Sequence, residues 1–130
     1  MKTATITSTM DLTQGGCNAC GPVESLLYSM ELDQQTLALE ELRVSSLVMA
    51  IVLHEGWSQA FKVEMIDEYM LYKKGDKEIK LVEDYNQLTY ISSTDSITLA
   101  DNYSDQAELF SQTNRVLTEM FEVAAINFIA

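Results

Sequence analysis

Two thiols stand three residues apart in Gln14-Gly15-Gly16-Cys17-Asn18-Ala19-Cys20-Gly21, directly ahead of Pro22. The thiolate is the reactive form of cysteine, and a helix N-terminus lowers a thiol's pKa. Cys20 just before a proline-initiated helix would therefore be an activated nucleophile. The same Cys-x-x-Cys spacing suits a dithiol redox pair, but such a pair needs a βαβ core and a proline facing the disulfide, and the single proline, Pro22, follows the motif. As metal donors Cys17 and Cys20 supply two ligands and His54 a third, one short of a closed zinc site, which paired motifs from two copies would complete. His54-Glu55 begins like a zincin helix, but Ser58 stands where the second histidine is required. Gly15, Gly16 and Gly21 match neither phosphate-cradling pattern. No metal and no cofactor is expected.

Over about eight residues this segment resembles the active-site segment of papain-like cysteine proteases, in which a glutamine lies six positions before the nucleophilic cysteine and another cysteine three before it. The resemblance implies Gln14 as oxyanion donor and Cys20 as nucleophile of a cysteine-dependent hydrolase. The sequence departs from that pattern at Gly21, where an aromatic residue follows the nucleophile, and at Asn18, where the family has glycine. His54 lies 34 residues after Cys20 near an expected helix end, whereas the family places its base on a distant strand of a much longer chain. Without the resemblance, the segment reads as a glycine-rich connector with two small thiols. His54 then serves its helix by interacting with the terminal carbonyls, and Trp57 belongs to the core.

The elements around these residues follow from periodicity. Residues 2–10 alternate, with Thr3, Thr5, Thr7 and Thr9 on one side, which predicts a strand with a solvated threonine face. Pro22 predicts a helix over residues 22–32 with Leu26, Leu27 and Met30 buried. Leu39, Leu42, Ser46, Met49, Leu53 and Trp57 predict a second helix from Thr36 or Leu37 to Gly56, a suitable left-handed cap, with a strand as the alternative over residues 47–53. From Ala60 the period falls to two. A hairpin turns at Lys74-Gly75-Asp76 and a weaker one at Ser93-Thr94-Asp95. Ser104, Asp105 and Glu108 then open a helix whose apolar face runs through Leu109, Leu117, Phe121 and Phe128. The expected fold is α+β in a single domain, residues 1–130: an N-terminal strand, two helices, a four- to five-stranded antiparallel meander and a long C-terminal helix packed on the sheet. That order is similar to the helix-grip folds, a likeness of element order without signature residues.

Composition bounds the function. The chain has 20 acidic and 8 basic residues and a formal net charge of -12. Duplex binding through the net field needs lysine and arginine in excess, so direct duplex nucleic acid binding is excluded. With 47% apolar residues the chain is too hydrophobic for a disordered segment. The N-terminus lacks the apolar stretch of a secretory signal, and the longest apolar run, residues 47–53, is far short of the ~20 residues that span a bilayer. A cytoplasmic protein with no membrane association is expected.

The charge is segregated. Residues 1–42 carry a net of -5, residues 43–80 are neutral, and residues 81–130 carry -7. Uniform acidity would serve solubility. Segregated acidity suits recognition, with Glu83, Asp84, Asp95, Asp101, Asp105 and Glu108 facing and steering a basic protein partner. With no complete catalytic set, the expected function is a non-enzymatic acidic binding protein of the inhibitor, immunity or nucleic-acid-mimic type. A homodimer through an apolar strand or the C-terminal helix is expected. The alternatives are a small apolar ligand held between sheet and last helix, and the hydrolase using Cys20.

Overall fold

A computed structural model describes the backbone of residues 1–14 and 22–130 and the side chains of residues 1–10 and 26–130. Cys17, Cys20 and the side chain of Gln14 lie outside the described residues. So does the thiol chemistry considered for them.

Among the described residues nine strands and two helices follow in the order β1 (Lys2–Gln14), β2 (Pro22–Leu32), β3 (Gln35–Leu39), α1 (Val44–His54), β4 (Ser58–Glu64), β5 (Asp67–Lys74), β6 (Lys77–Asp84), β7 (Gln87–Ile91), β8 (Ser96–Ala100), α2 (Gln106–Met120) and β9 (Ile126–Ile129). They form two sheets, β3-β2-β1-β9 and β4-β5-β6-β7-β8. The chain is α+β, but the arrangement expected above is corrected: strand dominates, and the described residues form two sheets rather than one.

The first correction is at residues 22–32, a strand and not a helix. Thirteen residues of β1 need a backbone partner, and β2 supplies one in an antiparallel register running from Thr5↔Glu31 to Gln14↔Pro22. Leu26 and Leu27, expected in a buried helical stripe, are half exposed, while Met30 and Leu32 alternate into the core. The second is at residues 35–39, where β3 stands in place of a helix start. Asp33 and Gln34, at φ 53° and 64°, form the tight turn that joins it to β2.

The helix foreseen up to Gly56 is therefore only Val44–His54. Its end was legible: Gly56 takes φ +99°, its N–H donates to the Leu53 carbonyl, and the Trp57 N–H donates to that of Val52, a Schellman motif. The third correction is that α2 stops at Met120. Glu122 takes the left-handed conformation at φ 56° and the Val123 N–H closes on the Leu117 carbonyl. The chain then runs out as β9, parallel to the start of β1.

The helices pack on each other, α1 leaning on β3 and α2 on β7 and β8. One hydrophobic cluster, from Ala4 and Met30 through Val48 and Leu88 to Ile126, draws on both sheets. At its centre the Phe121 ring meets Trp57, Tyr72 and Tyr90 edge-on, at centroid distances of 5.0, 5.5 and 5.9 Å. Such pairs contribute about 0.5–1.5 kcal/mol each beyond buried area.

Candidate functional site

The meander makes three two-residue turns. The pairs Glu64↔Asp67, Lys74↔Lys77 and Asp84↔Gln87 close on Met65-Ile66, Gly75-Asp76 and Tyr85-Asn86. In each, the first loop residue has positive φ, at 57°, 60° and 57°, and the second does not. That is the mirror-image turn whose twist matches the flanking strands and whose first position belongs to glycine. Gly75 obeys the rule. Met65 and Tyr85 hold the same conformation with bulky side chains, which costs about 1–2 kcal/mol each.

Burial does not compensate, because Met65 is 97% exposed, Ile66 94% and Tyr85 fully. Neighbouring bonds hold these turns. The Tyr69 hydroxyl donates to Glu64 at 2.6 Å beneath the first. In the second, the Asn86 carbonyl accepts from the Asp101 N–H at 2.9 Å, and its side-chain oxygen accepts from the Asn102 N–H at 2.9 Å.

Antiparallel pairing places the Met65 and Tyr85 turns at one end of the sheet and Gly75 at the other. At the Met65 end the sheet divides. The β5–β6 register runs from Lys74↔Lys77 to Met70↔Leu81 and stops, leaving residues 67–69 and 82–84 unpaired with each other, so the two hairpins form separate prongs. A recess of about 220 Å³ sits at their base, lined by Phe61, Glu68, Tyr69, Met70, Leu81 and Glu83.

The prongs carry Glu64, Asp67, Glu68, Glu83 and Asp84 against a single lysine, Lys62, which stands across from Tyr69. Among the described residues none of these five carboxylates is in an ion pair. Desolvation pushes the Glu83 carboxyl above its ordinary range, the charge of Asp101 adds to this, and Arg43 partly offsets it. The hydrogen bond to Glu64 likewise raises the Tyr69 hydroxyl.

At the Gly75 end lysines stand among carboxylates and are engaged. Lys73 pairs with Glu78, Lys77 with Glu122, and the Lys74 ammonium donates to the Glu55 carbonyl at 2.8 Å.

The six carboxylates proposed from sequence do not share a face. Glu83 and Asp84 lie on the β6–β7 prong. Asp95 is at the opposite end, in the β7–β8 turn, where it accepts from the Ser96 N–H at 2.8 Å. Asp101 is buried and supplies the N-terminal cap that α1 lacks locally. Its carbonyl accepts from the Val44 N–H at 3.0 Å, and its carboxylate from the Ser45 N–H at 2.8 Å and hydroxyl at 3.0 Å. Asp105 caps α2 through the Ala107 N–H at 3.0 Å, and Glu108 accepts from the Gln112 side chain on the same helix. A side chain spent on a helix end in the interior is out of a partner's reach, so Asp101 leaves the set.

Sequence reasoning missed Met65, Ile66 and Tyr85. The available signal was a two-residue gap between alternating segments filled by Met-Ile and Tyr-Asn instead of turn formers.

His54 is engaged elsewhere. Its Nε2 lies 2.9 Å from Asp33, which also accepts from Lys2 at 2.8 Å. Those two contacts hold the Asp33 carboxyl below its ordinary value, Lys2 contributing most. Asp33 follows the last residue of β2, and Pro22 is the first. Eleven strand residues span about 36 Å, so a base for chemistry beside Pro22 would have to come from another residue. Among the described residues no group of three histidine, cysteine, aspartate or glutamate side chains is placed to hold a metal ion. No helix among them is long and apolar enough to cross a membrane.

A family model matches the chain. No curated protein and no solved structure matches the chain. The match is to a family model described as "Domain of unknown function (DUF4809)", and since it covers residues 1–130, the chain belongs to the DUF4809 family.

Proposed function

We propose that the chain is a non-enzymatic binding protein of the cytoplasm whose divided, acidic end of the meander engages a basic protein surface. The observation that carries this reading is the pair of turns in which Met65 and Tyr85 hold positive φ while exposing almost their whole side chains. Strain with no return in the folded chain marks a position kept for another task. Methionine adapts to irregular apolar surfaces, and tyrosine is a frequent anchor of protein interfaces.

The unpaired carboxylates around these tips supply long-range attraction. Glu83 and Asp84 remain from the set proposed on sequence, joined by Glu64, Asp67 and Glu68. In this division of labour the carboxylates set encounter rate and salt dependence, and Met65, Ile66 and Tyr85 set residence time.

A photo-crosslinking residue placed at position 85, and in a second protein at position 76 on the opposite turn, tests the reading in lysate of the source cells. Adducts with basic proteins from position 85 that fade as salt rises, with few from position 76, are expected. Equal labelling from both ends, or none, overturns the proposal.

A further inference from the structure

Strand β4 is an edge of the meander, paired with β5 alone among the described strands, and all seven of its residues are exposed. The other three sheet edges each cover their apolar side: Leu39 of β3, Ile97 and Leu99 of β8, and Ile126 of β9 are buried. On β4 Phe61 is 60% exposed and Val63 58%.

These side chains are not isolated. The strand registers align Phe61 with Met70, Leu81, Tyr90 and Ile97 in one lateral row across all five strands. Leu81, Tyr90 and Ile97 are buried, Met70 is partly buried, and at Phe61 the row ends in solvent. A core row that stops at an open edge is completed by another strand presenting the same row.

We infer that β4 pairs antiparallel with β4 of a second copy about a two-fold axis at Phe61, joining two meanders into one ten-stranded sheet. Antiparallel neighbours across such an axis keep the same face on the same side, so the residues opposite one another are Phe61 and Phe61 of the two copies, Gln59 and Val63, Ala60 and Lys62, and Ser58 and Glu64. This register uses the whole strand and continues the apolar row through Phe61 into the partner. It also fits the charges. No like charges stand directly opposite, the long Lys62 side chain lies across from the small Ala60, and Glu64 faces the Ser58 hydroxyl.

Lysine on an edge strand ordinarily discourages pairing; here its opposite number leaves room for it. The segment is neutral, one lysine against one glutamate, within a chain of net charge -12. Seven residues a side bury on the order of 1,000 Å² in total, near the lower limit for a specific interface, so a micromolar dimer is expected.

Sedimentation of the full chain over a concentration series tests this. A monomer–dimer equilibrium that tightens with salt is expected, because salt screens the repulsion between two acidic copies. Basic-partner binding weakens with salt, so the two proposals fail separately. Phe61→Lys should raise the dimer dissociation constant at least about tenfold, a loss of roughly 1.4 kcal/mol, with an unchanged thermal midpoint at concentrations where both proteins are monomeric, because the side chain is already exposed in the monomer.

In a Cys17→Ser/Cys20→Ser background, Phe61→Cys should form an intermolecular disulfide, since a residue on the axis faces itself, and Val63→Cys should not. A chain that stays monomeric, a dimer indifferent to Phe61→Lys, or cross-linking at 63 in preference to 61 overturns the inference.

Discussion

The two ends of the meander use the same turn and fill it differently. At one end Gly75 occupies the positive-φ position, and the lysines around it are bound to Glu78, Glu122 and the Glu55 carbonyl. At the other, Met65 and Tyr85 occupy that position, the flanking carboxylates are unpaired, and the hairpins part. A purely structural end would converge on the first solution, because glycine relieves the strain and paired charges relieve the repulsion. On the proposed reading, the contrast separates turns that serve folding from turns that serve an encounter. It also shows how a strained tip survives: Asn86 is tied to Asp101 and Asn102, and Glu64 to Tyr69, so the surroundings hold what the loop residue would relax.

Both ends hang on the same aromatic centre, since Trp57 precedes β4, Tyr72 lies in β5 and Tyr90 in β7, and all three contact Phe121. Phe121→Ala is accordingly the largest perturbation of the comparison. It should cost about 3–5 kcal/mol in denaturant unfolding and reduce hydrogen-exchange protection at both ends alike. Loss of protection at only one end would mean that the two ends are held independently.

The turns themselves give the next largest effect, and its sign differs between ends. Gly75→Val should destabilise by about 1–2 kcal/mol, chiefly through the backbone, because a Cβ added there meets nothing within 4 Å. Met65→Gly and Tyr85→Gly should each stabilise, by up to about 1 kcal/mol, relief of strain being partly offset by glycine's greater freedom in the unfolded chain. The same two variants should lose labelling of basic proteins. Stabilisation together with loss of capture is the signature of a site maintained against folding. Destabilisation of Tyr85→Gly would assign its ring a structural contact instead.

Legibility in the sequence followed the range of the interactions. The meander, the Gly75 turn and the Gly56 helix end are local, set by period-two alternation and by glycine at positive φ, and their residues declare them. The fate of residues 22–32 is decided by β1, whose register contacts reach up to 26 residues along the chain. Leu26, Leu27 and Met30 suit either a helix or a strand until that partner is known. Asp101 shows the same limit at the level of one side chain. In sequence it is one carboxylate in an acidic third of the chain; in the fold it caps a helix 56 residues earlier. The charge split was visible from composition, but which carboxylates remain unpaired depends on which helix ends and turns consume the others.

The smallest predicted effects are in pH dependence, and they have opposite signs in two regions. Asp33, held below its ordinary 3.8 by Lys2 and His54, contributes stability that is complete above that value and is lost as pH falls through its lower folded pKa. Glu83 is held above its ordinary 4.5 by desolvation and Asp101, so its contribution is complete below pH 4.5 and is lost as pH rises through its folded pKa. Above that window the ionised side chain destabilises the fold. Asp33→Asn should therefore lower the denaturant midpoint at pH 7 and converge with the wild type once the pH has fallen below the lowered pKa of Asp33. Glu83→Gln should raise the midpoint at pH 7 and converge with the wild type below pH 4. A cation from a partner, placed beside Glu83, would remove the penalty by favouring its charged form, so capture of basic proteins should strengthen as pH rises from 4.5 towards 7. This pH dependence should be weaker in Glu83→Gln. If the dependence is the same in both proteins, Glu83 is not at the contact, and the interface lies on the carboxylates of the other prong.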